Sequence, residues 1–410
     1  MVSCYPRDGG LLSVDAALAQ IHAQIQPLAT NVRVSLAAAL GRINAADVIA
    51  PIDLPGADNS AMDGFAVHHA DIAANTVTTL PITQRIIAGT IPAPLARGTV
   101  ARIFTGAWLP AGADAVVMQE HVTEHDGLAQ LRGPVPEQQF VRQRGEDMRA
   151  GTIAVAGGTR LDAAHIALLA GLGMAEIDVR PRVRVSIIST GNELAEPGTA
   201  LSPGRIYNAN GALLRALCQQ TGAEVIATMS VPDDLPATTE LLRRCAAQSD
   251  LVLTSGGASV GEEDHIKAAL AACGEIALWR IALKPGKPLV FGHIDNVPVL
   301  GLPGNPVSAF VTFVLFGRAA IGRMHDASTT APPSLRLPAA FTWSKPGPRR
   351  EYARARLCQH HDTSAIALFP DQNSHLISSL TWADGLAVIP ENTVIRAGDP
   401  VEFVPFRGIA

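Results

Sequence analysis

Apolar positions recur at helical spacing from the start of the chain. After Ser13, Val14, Leu18, Ile21, Ile25 and Leu28 fall on one face, which predicts an amphipathic helix. Residues 34–48 continue as a second amphipathic segment. The rhythm then changes. Residues 52–141 are broken by Pro and Gly and carry short β-rich runs at 77–80, 82–87, 100–104 and 115–118, the pattern of an all-β module. A glycine-rich stretch, 145–158, leads back to a helix over 162–172, with Asp162 placed to cap it.

From residue 183 strands alternate with helices. Strands are predicted at 183–189, 225–231 and 251–254, and helices at 208–221, 235–248, 262–272 and 304–321. Strand and helix alternation of this length implies a doubly wound parallel sheet with helices on both faces, whose ligands sit beyond the carboxyl ends of the strands. Residues 324–333 are polar and proline-rich, a boundary. Short alternating runs at 334–341, 352–357, 365–369, 385–389 and 400–405 then predict a small β-barrel or sandwich.

Composition narrows the classes. The chain has 410 residues and a formal net charge of -5, so it has no broad basic field to draw nucleic acid. Its five cysteines are odd in number and lack a C-x-x-C pair, which argues against a disulfide framework or a cysteine-rich zinc site. The opening residues 1–7 lack a basic-then-apolar leader, and the most apolar run, 307–316, is about half the ~20 residues a bilayer span needs. We expect a cytoplasmic protein without a membrane segment.

The candidate chemistry lies in the loops. Thr254-Ser255-Gly256-Gly257-Ala258-Ser259 follows a buried strand and precedes a helix. Glycines there let backbone N–H groups approach phosphate oxygens, and the helix N-terminus adds positive potential. Asp264 near such a loop calls for a cation, or is simply a first-turn acid favoured by the helix dipole. Ser189-Thr190-Gly191-Asn192-Glu193 ends another strand; Thr190 and its backbone suit phosphate and Glu193 a metal, against the alternative of a solvated surface turn. Asp233 and Asp234 end a third strand, where one is a metal ligand candidate and Asp234 is also placed to cap the next helix. Gly301-Leu302-Pro303-Gly304-Asn305-Pro306 is a rigid turn before an apolar helix, either a binding loop or a helix-starting device. Lys284 and Lys287, set between prolines, form a compact cationic pair suited to an oxyanion. In the β-rich module, Asn59-Ser60-Ala61-Met62-Asp63-Gly64 and Arg102-Ile103-Phe104-Thr105-Gly106 do not by themselves announce catalysis; Asp63 reads as a turn acid.

Taken in order, residues 59–64, 102–106, 189–194, 254–264, 284–288 and 301–309 make the chain resemble the molybdopterin molybdenumtransferases of the MoeA and gephyrin E-domain family, over nearly its whole length. The resemblance implies a multidomain α/β plus β architecture. An N-terminal helical region (1–51 with 141–181) would carry an inserted β-rich module (52–140). A central MogA-like, doubly wound molybdopterin-binding domain (182–326) and a C-terminal β-barrel (327–410) would follow. It implies Mg²⁺-dependent insertion of molybdate into adenylylated molybdopterin with release of AMP. It also implies a homodimer whose cleft is shared between subunits, and the molybdopterin adenylyltransferase as a supplying partner. Asp63, Thr105, Glu193, Asp233 and Asp264 would be catalytic, with Glu193, Asp233 and Asp264 the metal ligands. Thr190, Gly191, Ser255, Gly256, Gly257, Ser259, Pro303, Gly304 and Pro306 would hold the substrate. Lys284, Lys287, Ser308, Arg349 and Ser374 would receive the oxyanion. Arg350 stands where related chains often carry proline, and Arg280 where lysine is common. The competing readings are a molybdopterin adenylyltransferase, a dimeric scaffold that binds a partner peptide, and a tungstate-inserting relative.

Overall fold

The computed structural model describes residues 11–257, 265–360 and 363–406. The first helix, Val14–Gln24, starts where Ser13 Oγ accepts the Ala16 N–H at 3.1 Å. Its buried face, Val14, Ala17 and Ile21, packs with the strands and helices that follow residue 183, in one continuous core. The amphipathic segment at 34–48 does not form a second long helix. Val32–Ser35 is a strand paired antiparallel with Glu176–Val179, Leu36–Ala39 makes one helical turn, and Val48–Ile49 pairs with Ile153–Val155. Gly41, at φ 74°, takes the backbone out of the helical region soon after that turn, so the apolar period is spent on strands and a bend. The helix Ala163–Gly171 forms as expected, with Asp162 and His165 in a reciprocal capping box.

The β-rich segment builds a six-stranded sheet in the order 115–118, 64–67, 100–103, 77–86, 128–132, 122–125. Its two expected runs on either side of Pro81 are one strand, Val77–Ile86. The first half pairs with Leu128–Arg132 and the second with Val100–Ile103, so Pro81, which lacks an N–H, sits where the strand changes partner. The Val122–His125 and Leu128–Arg132 hairpin was not anticipated. Its signal is Asp126-Gly127, both at positive φ, the pair that a tight hairpin turn favours.

The central sheet has the order Glu224–Val231, Arg184–Thr190, Leu251–Ser255, Val297–Leu302, Val290–Ile294, Glu275–Trp279. The first four are parallel, but the last two pairings are antiparallel, with Val290–Ile294 the reversed strand, so the sheet is mixed rather than wholly parallel. Only two residues separate Ile294 from Val297, too few for a helical crossover, and Asp295 at φ 54° turns the chain directly back. Helices cover both faces, as expected. Leu235–Ala246 and His265–Cys273 lie over one, and the Val14–Gln24, Ala209–Gln220 and Pro306–Met324 helices over the other. The last of these is long and apolar enough to cross a membrane by composition, yet 78% of its apolar window is buried in the core. A π-helical turn, Phe313–Gly317, interrupts it; a Cβ on Gly317 would lie 2.6 Å from the Phe313 ring.

The C-terminal strands Leu335–Pro338, Arg350–His360, Thr363–Leu368, Gly385–Ile389 and Pro400–Pro405 belong to a third six-stranded sheet. Its sixth strand, Leu283–Lys284, comes from between strands of the central region and pairs parallel with Arg350 and Glu351. A bridge between Ala339 and Ile366 curls the sheet back toward itself. Arg350 fastens the same junction: its two terminal nitrogens bind Asp15 at 2.8 and 2.9 Å and its Nε faces Glu391 at 3.3 Å.

His325 closes the long helix inside the protein at 5% exposure. Burial pushes its pKa from 6.5 to about 4, helped by Arg160, Arg42 and Arg182 and opposed by the Pro181 carbonyl. The unfolded chain therefore takes up this proton first. The contribution of neutral His325 is complete above about pH 6.5 and declines as pH falls toward 4, by a total of order 3 kcal/mol. Between pH 7 and 4.5 the unmodified protein should lose about 2 kcal/mol more in urea unfolding than His325→Gln. Equal losses would remove His325 from the acid sensitivity of the fold.

Candidate functional site

Four adjacent parallel strands end on one side of the sheet, at Val231, Thr190, Ser255 and Leu302. Because the strands are neighbours, the loops after them converge on a single cleft of about 650 Å³. Of the expected residues, Thr190, Gly191, Glu193, Asp233, Ser255, Gly256, Gly257, Pro303, Gly304 and Pro306 line it. Ser259 and Asp264 lie outside the described residues.

The glycines are required by close approach. Gly256 and Gly257 stand at φ 90° and 60°, and a Cβ on either would come within 3 Å of Thr190 Oγ1. The Ser255-Gly256-Gly257 turn is thus folded over the end of the neighbouring strand, with backbone rather than side chain facing the cleft. Thr190 Oγ1 is buried without a hydrogen-bond partner, and so is Asn210 Oδ1. Buried polar atoms of this kind at a cleft are available to a ligand or water.

The two described acids on the wall are held differently. Asp233 accepts the Asn192 N–H at 3.1 Å, tying two of the loops together. Glu193 folds back over Gly191, where a Cβ would meet its carboxylate at 2.5 Å. Asp234 instead caps the Leu235–Ala246 helix through the Ala237 N–H at 2.8 Å. The geometry therefore separates the twin acids: Asp233 faces the cleft and Asp234 starts a helix. Among the described residues, the close-set trio of metal-type ligands is His68, His69 and Asp114 in the β-rich sheet, not the cleft acids.

Several cleft residues were not singled out from sequence. Asn210 donates to Ser255 Oγ at 2.8 Å and to the Gly304 carbonyl at 2.6 Å, joining two loops. Asn208 caps the Ala209–Gln220 helix through the Gly211 N–H and reaches Ser230 Oγ. Two asparagines at a helix start were the available signal. Asn305 and His375 also line the cleft.

The expected oxyanion set is placed around the cleft rather than in its wall. Pro288 beside Lys287, Pro306 two residues before Ser308, and His375 beside Ser374 line it, but these five residues themselves do not. Ser308 is buried, and the Ser374 carbonyl accepts the Val307 N–H at 3.1 Å. Lys284 is not half of a bare cationic pair, since its Nζ meets Glu351 at 3.0 Å. Arg349 donates to the Leu283 carbonyl at 3.3 Å, whereas Arg350 is committed to Asp15 and Glu391.

Asp63 and Thr105 are brought together in the β-rich sheet and do not line the cleft. Asp63 Oδ1 accepts both the Thr105 N–H (2.8 Å) and the Thr105 hydroxyl (2.7 Å). These bonds hold its carboxyl below the usual range, with Arg102 adding to the effect. Arg102 itself is fixed by the Gly64 carbonyl and by Gln119 and lies over Phe65 and Phe104.

Fold and cleft together define a multidomain protein with a cleft at the carboxyl ends of the parallel strands of a mixed α/β sheet, flanked by two β modules. Comparison with known families resolves the class further. Residues 12–173 match the MoeA N-terminal region (domains I and II), 186–323 a probable molybdopterin binding domain, and 336–406 the MoeA C-terminal region (domain IV). A molybdopterin molybdenumtransferase of Haemophilus influenzae is 35% identical over 97% of this chain and 99% of its own. Molybdopterin molybdenumtransferase 2 of Mycobacterium tuberculosis is 35% identical over 93% and 97%. A crystal structure of a molybdopterin biosynthesis MoeA protein from Pyrococcus horikoshii superposes with a TM-score of 0.84 at 26% identity, over 97% of this chain and all of the other. A second structure from that organism gives 0.79 at 30% identity over the same shares. The chain belongs to the MoeA family.

Proposed function

We propose that this protein inserts molybdate into adenylylated molybdopterin and releases AMP, in a reducing, cytoplasmic setting. The observation that carries the reading is the convergence of three glycine-bearing loops and one acidic loop on one cleft in a chain that matches the family along its length. A phosphate-bearing substrate is suited by the backbone of Gly191, Gly256, Gly257 and Gly304 and by Thr190 and Ser255. The oxyanion is suited by Lys284, Lys287, Ser308, Arg349 and Ser374 around the cleft. Pairing of Lys284 with Glu351 makes Lys287 and Arg349 the better first contacts.

The donors fit Mg²⁺: Glu193 and Asp233 supply hard carboxylate oxygens on one wall, and Asp264 follows the same glycine loop in sequence. Bound there, the ion would neutralise phosphate charge as the leaving group departs. Two carboxylates leave coordination positions for substrate oxygens and water, which is the usual habit of Mg²⁺.

The division into 1–51 with 141–181, 52–140, 182–326 and 327–410 belongs to this proposal, with the last segment a β-barrel. So does a homodimer in which Asp63 and Thr105 of one subunit complete the cleft of the other. Their separation from the cleft supports it, as do the half-exposed apolar Met62 and Trp108 beside them in sequence. Supply by the molybdopterin adenylyltransferase follows from the substrate.

The test is a turnover assay with adenylylated molybdopterin, molybdate and Mg²⁺. AMP release and pterin-bound molybdenum should appear in equal amounts, and both should depend on molybdate. Transfer of AMP from ATP onto molybdopterin without molybdate would replace this reading with the adenylyltransferase one. Parallel assays with tungstate decide which oxyanion is preferred.

A further inference from the structure

On the helical side of the molecule, away from the loop cleft, four arginines gather with no acid among them. Arg42 donates to the Arg180 carbonyl (2.7 Å), and Arg160 to those of Gly41 (2.9 Å) and Thr221 (3.0 Å). Arg182 donates to the Gly222 carbonyl (3.1 Å), and Arg318 to that of Thr330 (3.3 Å). Every bond given to these four guanidiniums thus ends on neutral backbone. Among the described residues, no carboxylate forms an ion pair with any of them. The nearby Asp326 is taken by Arg180 at 2.7 Å and Arg323 at 3.6 Å. Buried His325 feels three of the four as repulsive neighbours.

Such a grouping is costly. Partly buried cations normally acquire a counter-charge, because desolvation is repaid only by an opposite charge or by ordered water. Burial depresses the pKa of Arg160 and Arg318, and for Arg318 the neighbouring Arg160 adds to it. In a chain of net charge -5 this concentration of unpaired positive charge is local and runs against the average.

A cavity of about 360 Å³ opens at the cluster. Arg160 and Arg318 line it with Thr221, Ser328, Thr329 and Thr330, and no Asp or Glu is among its lining residues. Two guanidiniums and the hydroxyls of Ser328, Thr329 and Thr330 around a small acid-free space are the donor set for a tetrahedral oxyanion, the Thr221 hydroxyl being given already to the Leu217 and Cys218 carbonyls. Arg160 also fastens the loop at Gly41 to the end of the Ala209–Gln220 helix, so an anion there would brace that junction.

We propose that this cavity is a second anion site, separate from the loop cleft, which takes a phosphate-class dianion, either free or as the terminal group of a small ester. The proposal does not depend on the function assigned to the cleft. Its test is calorimetric titration of the full chain with inorganic phosphate and with glycerol 3-phosphate. Thermal melting runs alongside, all in a Lys287→Ala background to weaken anion binding at the other site. Phosphate should bind saturably and raise the melting temperature. Arg318→Gln should weaken it about tenfold, as loss of one charge-assisted contact predicts. Thr329→Glu carries its own anion into the cavity, so it should abolish phosphate binding while raising the melting temperature without ligand. Tighter binding of the ester than of phosphate would identify a phosphorylated metabolite as the occupant, and equal binding the free anion. The proposal is overturned if phosphate and the ester both fail to bind saturably, or if binding is unchanged in both pocket variants. Thr329→Glu that folds but is no more stable than its parent would also overturn it.

Discussion

Asp63→Asn and Asp233→Asn proteins, each inactive alone, are expected to regain activity when mixed and allowed to exchange subunits. Asp233 stands in the cleft wall, while Asp63 is held with Thr105 in the β-rich sheet and does not reach it. If the two acids serve one reaction, they must meet across a subunit boundary. Each substitution preserves shape and removes a charge that the reaction would use, so each should lower AMP release by about 10²-fold or more. Random exchange then gives half heterodimers, each with one intact cleft and one doubly altered, and a recovery of up to about a quarter of full activity. No recovery, with exchange verified by mass, would sink the shared cleft. A sedimentation profile showing an active monomer would do the same.

The parts of this site that sequence made legible are those with local signatures. A buried strand running into Ser255-Gly256-Gly257, or into Thr190-Gly191, can be read without knowing the partner strand. Their convergence was readable too, because parallel strands deliver their loops to one side. What sequence does not carry is the pairing of distant residues. Arg349 and Arg350 look alike in the chain, yet Arg350 is claimed by Asp15, 335 positions away. Lys284 and Lys287 look like a pair until Glu351 takes one of them. The antiparallel edge of the central sheet escaped for a different reason. Val290–Ile294 and Val297–Leu302 are short and apolar, and such runs do not announce their direction. The segment at 34–48 failed because an apolar period does not compete with a glycine at φ 74°.

The largest stability loss is expected at Arg354, and it should carry a functional loss with it. Its side chain is wholly buried in the C-terminal sheet, which sequence position alone gave no reason to suspect. Nε donates to Ser379 Oγ at 2.9 Å, Nη1 to the Gln372 carbonyl at 3.1 Å, and Nη2 to the carbonyls of Asp371 (3.1 Å) and Asn373 (3.0 Å). Its backbone N–H and carbonyl also bind the Gln372 side chain. One guanidinium therefore winds residues 371–373 around itself and fixes where the chain goes next, to Ser374 and to His375 in the cleft. Burial lowers its pKa to about 10, which still leaves it charged at neutral pH. Replacing a buried ion pair with apolar residues is often tolerated because both charges go together. Here the partners are three carbonyls and a hydroxyl that cannot be removed with it, so Arg354→Met leaves four acceptors unanswered, the Ser379 hydroxyl buried and the three carbonyls partly so. We expect a loss of about 3–5 kcal/mol in urea unfolding. Arg354→Lys should recover little of it, because a single ammonium cannot span a planar fork of acceptors. Val307, whose N–H rests on the Ser374 carbonyl, would lose that contact as the loop shifts. Under conditions where the variant remains folded, half-saturation for molybdate should therefore rise more than half-saturation for the pterin substrate. An Arg354→Met protein within about 1 kcal/mol of its parent would show that the loop at 371–373 is held from elsewhere.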